Sequence, residues 1–170
     1  VNPNIIAYNI FKYTNMIEEI KMTAFLETKV DKFTFRVDPA CFFNNEGIWV
    51  RVEGKRARLG LSDYLQQHSG DIAFVDVKPE GTVLASGDEF SGIETIKVTI
   101  ALPSPVSGKV VKVNPAMETA PEVINQDPFG EGWLCEVELS SWELDQPRLL
   151  DANAYFAKMK HDAEEEVKRK

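Results

Sequence analysis

Hydrophobic and polar residues alternate along most of the chain from Ile48 onward, in short stretches that turn signals interrupt about every 8–12 residues. Trp49-Val50-Arg51-Val52-Glu53 has the period of two that is typical of a half-buried strand, and Ala57, Leu59 and Leu61 form the apolar face of a returning strand. Similar stretches cover residues 72–77, 82–84, 89–101, 109–113 and 133–139. Many short strands with regular turns predict a mainly β protein, either a sandwich or a barrel.

Two segments of the first 70 residues do not show this alternation. Ser62 is a candidate N-cap for a short helix over Asp63–His68, which Gly70 ends. Residues 1–30 are rich in Asn, Ile, Tyr and Lys, and only residues 17–22 suggest a helical turn. We interpret residues 1–30 as an N-terminal extension that packs loosely; a docking element is the alternative.

The C-terminal segment has a helical period instead. Glu164, Glu165 and Glu166 stand four residues before Lys168, Arg169 and Lys170, so we expect this end of the helix in solvent. The pattern predicts one domain over 31–145 and a helix near 147–167, with segment 146–170 packed on the domain. The apolar stripe of this helix consists of Leu149, Ala152, Phe156 and Met159.

Composition narrows the possible functions. The formal charge is −8 over 170 residues and the pI is about 4.9, whereas nucleic-acid binding needs a basic surface. No apolar run approaches the roughly 18 residues of a membrane span, and no signal-peptide pattern opens the sequence, so we expect a cytoplasmic protein. Neither the cysteines (Cys41 and Cys135) nor the histidines (His68 and His161) have zinc-site spacing, and no phosphate loop or nucleophile motif is present. These absences favour a carrier or binding module over an enzyme.

One lysine has a setting that suits a carrier. Lys97 stands between two β-prone stretches, where a turn would expose its amine. A swinging cofactor arm needs such an exposed and rigidly held pivot. Lys109 and Lys112 are flanked by valines on an alternating strand and are typical of a solvated face.

Seven segments resemble the H-protein family of the glycine cleavage system, in the order that the family shows. Together they extend over about two thirds of the chain. They are residues 49–54, 60–64, 70–75, 94–97, 104–111, 127–134 and 150–155.

The resemblance implies a lipoyl-carrying lysine at Lys97. In the family this lysine follows a Glu-Ser/Thr-Val/Ile triplet, as in Glu94-Thr95-Ile96-Lys97, which would serve as the attachment motif. Lipoyl domains also tend to place glycines sixteen residues before and eleven after the lysine, and Gly81 and Gly108 stand there. Biotin carriers frame their lysine with methionines, unlike Ile96 and Val98. Glu94 has an alternative interpretation, as the partner of a nearby cation.

The implied fold is the flattened β-barrel sandwich of lipoyl and biotinyl domains, with one short helix and a C-terminal helix. The implied function is that of a non-catalytic, monomeric carrier, which moves an aminomethyl group on lipoyl-Lys97. Its implied partners are glycine decarboxylase, aminomethyltransferase, dihydrolipoyl dehydrogenase and a lipoate ligase or lipoyltransferase, without nucleic acid or membrane.

Two departures from the family leave other functions open. Gly47 and Ile48 stand where the family usually has His-Glu, and Val98-Thr99-Ile100 replaces polar residues of the Ala-Ser-Asp type. In the family this polar neighbourhood lines the site that shields the loaded arm. The alternatives are a lipoate carrier of another pathway, such as sulfur oxidation, and an unlipoylated interaction domain.

Overall fold

A computed structural model describes residues 3–170. Its strands are β1 (Leu26–Val30), β2 (Phe33–Val37), β3 (Phe42–Phe43), β4 (Ile48–Glu53), β5 (Arg56–Leu61), β6 (Ile72–Val77), β7 (Val83–Leu84), β8 (Glu89–Thr95), β9 (Thr99–Pro103), β10 (Gly108–Val113) and β11 (Cys135–Leu139). Its α-helices are α1 (Pro3–Thr23), α2 (Asp63–Ser69), α3 (Ala116–Thr119), α4 (Val123–Gln126), α5 (Trp142–Asp145) and α6 (Ala152–Lys168), and a 3₁₀ turn spans Gln146–Arg148.

Two antiparallel sheets form the predicted flattened sandwich. One has six strands in the order β3-β4-β5-β11-β10-β7, and the other has three in the order β6-β8-β9. The alternating residues named above supply the core between them, with Ala57, Leu59 and Leu61 all buried. Burial of one face explains the period of two in β5, where Ala57 and Leu59 are buried on either side of the exposed Arg58. In β4, by contrast, residues 48–50 are all buried. The mainly β fold class is confirmed.

A second hydrophobic cluster lies outside the sandwich and holds α6. The phenyl ring of Phe43 stacks on Tyr155 of α6 at 4.1 Å, and Trp49 and Met159 are fully buried nearby. Val37 of the β1–β2 hairpin belongs to the same cluster. The hairpin and α6 therefore share one core, which explains why α6 lies against the domain.

The hairpin is fastened to α2 by hydrogen bonds. The backbone N–H of Arg36 donates to Asp63 Oδ2 at 2.9 Å, and Gln67 Nε2 donates to the carbonyl oxygen of Thr34 at 2.9 Å. The division predicted between residues 30 and 31 falls in the turn of this hairpin, so a strand pair joins the predicted extension to the predicted carrier domain.

Side-chain caps set where the helices begin. Ser62 Oγ accepts the N–H of Leu65 at the start of α2, as expected for the predicted N-cap. Asp151 caps α6 in the same way, so α6 begins at Ala152 rather than near residue 147. The prediction that Leu149 belongs to the apolar stripe of the helix is wrong, since Leu149 follows the 3₁₀ turn in an extended conformation.

The N-terminal segment forms a longer helix than the single turn that its sequence suggests. α1 extends over 21 residues, with Pro3 at its first position, where a missing N–H costs nothing. The side chains of residues 3–17 are exposed, including Phe11 and Tyr13. In residues 3–170, no helix has the length and apolar character needed to cross a bilayer.

Candidate functional site

Lys97 lies in a tight turn that joins β8 to β9. The backbone N–H of Thr95 donates to the carbonyl oxygen of Val98 at 2.9 Å and closes the turn. The two central residues, Ile96 and Lys97, are both exposed, Ile96 to 95%. The strand-turn-strand arrangement that the flanking sequence predicts is therefore present, with Lys97 at its tip.

The hydroxyl group of Thr95 stabilises this turn from inside. Thr95 Oγ1 accepts the backbone N–H of Lys97 at 3.2 Å and that of Val98 at 3.1 Å. Such hydroxyl-to-backbone bonds stabilise turns that lack glycine and proline. Thr95 thus gives the lysine backbone a fixed orientation.

The Lys97 side chain folds back across the end of α2. Its Cδ, Cε and Nζ lie 3.8–3.9 Å from the place that a Cβ on Gly70 would occupy. Among the residues that the structure describes, none forms an ion pair or a side-chain hydrogen bond with this ammonium group. An exposed and unpaired primary amine on a rigid turn is chemically suited to acylation.

Glu94 precedes the turn on β8 and is exposed. Its cross-strand neighbours are Phe74 on β6 and Thr99 on β9. Within residues 3–170 Glu94 makes no salt bridge, so the alternative that it pairs with a nearby cation has no partner among the described residues. Recognition of Glu94 by an acylating enzyme stays a prediction.

Gly81 lies in the turn before β7 and Gly108 begins β10, so neither belongs to the turn that carries Lys97. Gly81 has a φ of +90° and its N–H donates to the carbonyl oxygen of Val110 at 2.7 Å. Gly108 lies between β7 and β11, where a Cβ would collide with the Glu138 backbone. The positive φ at Gly81 and the close backbone approach at Gly108 explain why glycine stands at these positions. Their effect on the presentation of Lys97 stays a prediction.

A cavity of about 330 Å³ opens beside Lys97, between the β1–β2 turn, α2 and the last turns of α6. We call it the hairpin pocket. Phe35, Tyr64, His68 and Glu166 line it together with Lys97. Burial, and then the charge of Glu166, raise the pKa of the Tyr64 hydroxyl. Sequence reasoning missed this pocket because its walls come from three distant segments, and only the spacing of Tyr64 and His68 on one helix face hints at it.

The position of the family histidine is closed in this chain. A Cβ on Gly47 would lie 2.9 Å from Ser62 Oγ and 3.0 Å from Tyr155 Oη, and the φ of Gly47 is +89°. Those two oxygens share a hydrogen bond of 2.7 Å, and Ile48 is fully buried. A histidine at position 47 would need both a strained backbone and displacement of that hydrogen bond.

The cysteines are free thiols in the core. Burial raises the pKa of Cys41 to about 12, more strongly than the neighbouring Arg51 lowers it, and burial raises that of Cys135 to about 12. Such thiols are poor nucleophiles at neutral pH. The described part of the chain also brings together no metal-binding group of His, Cys, Asp or Glu.

Comparisons with known proteins agree on one family. The family model described as "Glycine cleavage H-protein" matches residues 41–162. A glycine cleavage system H protein of Bacteroides fragilis is 45% identical over 115 residues, which cover 68% of this chain and 90% of that protein. The corresponding protein of Symbiobacterium thermophilum is 44% identical, with coverage of 68% and 89%. A crystal structure of the H protein from Mycobacterium marinum aligns with a TM-score of 0.63 at 26% identity, over 71% of this chain and 96% of that one.

Proposed function

This chain belongs to the glycine cleavage H-protein family, and from that premise we propose that it is a lipoyl carrier whose cofactor is attached to Nζ of Lys97. The observation that carries the proposal is the unpaired amine at the tip of the Thr95-stabilised turn. The family model spans this turn, and Glu94-Thr95-Ile96 before the lysine fits the family's attachment motif.

The residues around Lys97 fit an acylated lysine. Attachment forms an amide between Nζ and the lipoyl carboxyl carbon; the ammonium gives up protons, and the group that activated the carboxyl leaves. This removes one positive charge, which is inexpensive here because the ammonium group has no described ion-pair partner to lose. Lipoate would supply the reactive dithiolane, while the chain would supply position.

The role of the protein is then presentation rather than catalysis. The turn fixes the pivot, and the tether keeps the carried group at an effective concentration on the order of millimolar near each partner site. We propose glycine decarboxylase, aminomethyltransferase and dihydrolipoyl dehydrogenase as the successive partners, and a lipoate ligase or lipoyltransferase as the acylating enzyme. The carried group in this proposal is an aminomethyl group.

Intact mass tests the attachment. Co-expression with a lipoate ligase should add roughly 188 Da to the full chain. Lys97→Arg should abolish the gain, while Lys109→Arg, a matched change of an exposed lysine on β10, should keep it. No gain in the unsubstituted chain, or a gain that survives in Lys97→Arg, would refute the proposal and favour an unlipoylated interaction domain.

A second candidate is a lipoate carrier of another pathway, such as sulfur oxidation. It is favoured by the closed space at Gly47, which leaves no room for the family histidine. Glycine decarboxylation with the lipoylated chain and authentic partner enzymes separates the two pathways. Activity supports the glycine pathway, and inactivity of a fully lipoylated chain supports the second candidate.

A further inference from the structure

The N-terminal helix α1 presents an apolar stripe that the rest of the described chain does not cover. The stripe consists of Ile6, Ile10, Tyr13 and Ile17, whose side chains are between 48% and 62% exposed. A contiguous apolar surface of this kind marks contact with another molecule. We call these four side chains the α1 seam. The family match begins at residue 41, so family membership assigns no role to this helix.

The spacing of the α1 seam is that of a coiled coil. Its members follow one another at intervals of four, three and four residues. Ile6 and Tyr13 are thus seven residues apart, and so are Ile10 and Ile17. Such a stripe is narrower than the apolar face of a helix that packs on a globular core, and it fits the matching stripe of a second helix. The seam therefore needs a helical partner with the same period.

A second copy of this chain supplies such a helix. In a two-fold dimer the same surface occurs on both sides of the interface, so the seam meets a stripe of its own composition. Isoleucine at one of the two core positions, as at Ile10 and Ile17, favours two-stranded coiled coils.

The area of the seam suits a weak dimer. Each of its side chains has on the order of 100 Å² exposed, so two facing seams with their rims would cover roughly 1,000 Å². That area is at the lower end of specific protein interfaces. We therefore expect a dissociation constant in the micromolar range, about 1–100 μM.

The charges of α1 favour a protein partner over a lipid surface. Helices that lie on membranes are rich in lysine and arginine on their polar face. The sequence of α1 contains two lysines and two glutamates, so its charges balance. It therefore has no basic excess with which to bind anionic lipids.

The connection between α1 and the carrier domain keeps the seam available. α1 ends at Thr23 and β1 begins at Leu26, so only two residues join them. One of these is Phe25, whose ring lies 5.8 Å from the ring of Phe129. So short and anchored a connection leaves α1 little freedom to turn its seam onto the domain that carries it.

We propose that the α1 seam joins two copies of this chain in a coiled-coil dimer. The dimer departs from the monomer that the family resemblance implies, because residues 3–23 lie outside the family match. It does not involve the Lys97 turn, so the inference goes beyond the proposed function and does not depend on it. Its consequence is that two carrier domains are held together while both lysines stay exposed.

The test is the mass of the full chain in solution, measured by light scattering after size-exclusion chromatography at about 1 to 200 μM. The mass should rise from that of one chain, 19.1 kDa, toward twice that value as the concentration increases. Ile10→Glu places a charge in the seam and should keep the chain at the single mass throughout, whereas Ile10→Leu should still dimerise.

Phe11→Glu is the matched control. Phe11 is 66% exposed on the same helix but lies outside the seam, so this variant should dimerise as the unsubstituted chain does. Amide hydrogen exchange is a second readout that needs no substitution. The amides of residues 6–17 should exchange about tenfold more slowly at the highest concentration than at the lowest, because an isolated exposed helix opens readily.

A single-chain mass at every concentration would overturn the proposal. Equal loss of the dimer in Ile10→Glu and Phe11→Glu would also overturn it, since the position on the helix would then not matter. A single-chain mass together with sedimentation on vesicles of phosphatidylcholine and phosphatidylserine would assign α1 to a lipid surface instead.

Discussion

Replacing Thr95 by valine tests whether its hydroxyl fixes the turn that presents Lys97. Valine keeps the β-branched shape and loses only Oγ1, which accepts the N–H groups of residues 97 and 98 at 3.2 and 3.1 Å. A net hydrogen bond is worth about 0.5–1.5 kcal/mol, and these two are at an exposed turn where water replaces part of the loss. We therefore expect a total cost of about 1 kcal/mol, which lowers the equilibrium constant between the ordered and the disordered turn about fivefold.

The assay is the initial rate of lipoylation of the purified chain by a lipoate ligase, followed by intact mass. Thr95→Val should be acylated more slowly than the unsubstituted chain, by up to about fivefold. Thr95→Ser, which keeps the acceptor oxygen, should stay within about twofold. The turn lies at the tip of the three-stranded sheet, so the free energy of unfolding should fall by less than about 1 kcal/mol in either variant. A rate for Thr95→Val that equals that of Thr95→Ser would refute the role given to the hydroxyl group.

Three further predictions concern stability. Gly108→Ala should lower the free energy of unfolding by about 3 kcal/mol or more, because its Cβ would collide with the Glu138 backbone. Gly81→Ala has open space around its Cβ and should cost about 1–2 kcal/mol, which is the strain of a positive φ. Equal costs of the two substitutions in urea unfolding would contradict these structural roles. The Cys135 thiol keeps its proton in the folded chain up to about pH 12, while the unfolded thiol releases it above about pH 8.5, so stability falls as the pH rises and the unsubstituted chain should lose about 2 kcal/mol more than Cys135→Ala between pH 8 and 10. An identical pH dependence of urea unfolding in both would show that burial does not hold that proton. Asp151→Ala should lower the free energy of unfolding by about 1 kcal/mol and Asp151→Asn by less, because only alanine leaves the first turn of α6 without a side-chain acceptor; equal thermal stability of both variants would argue against the cap.

Local patterns in the sequence anticipated the parts of the fold that depend on near neighbours. The spacing of Ala57, Leu59 and Leu61 predicts β5 because a strand in a sandwich turns every second side chain toward the core. Ser62 predicts the start of α2 because its side chain reaches the N–H group three residues ahead. The position of Lys97 between two β-prone stretches predicts an exposed turn for the same kind of local reason.

Other local patterns were misleading. Leu149 has the spacing of the α6 stripe, yet Asp151 supplies the cap and the chain before it turns as a 3₁₀ segment. The short helices α3, α4 and α5 have four residues each, too few to show a helical period. The sequence did not predict the strand pair β1–β2, because only Val30, Phe35 and Val37 of it are buried. The residues that cover these three side chains lie in distant parts of the chain.

Motif order, strand period and the Glu94–Lys97 motif are properties of neighbouring residues, so the family, the sandwich and the candidate lysine could be predicted without a structure. The surroundings of that lysine could not. The turn that Thr95 stabilises, the closure of the space at Gly47 by Ser62 and Tyr155, and the pocket beside Lys97 all depend on contacts between segments or on hydrogen-bond geometry. Packing brings the hairpin, α2 and α6 together across more than one hundred residues, and the pattern of any one segment does not record which distant surface it will meet.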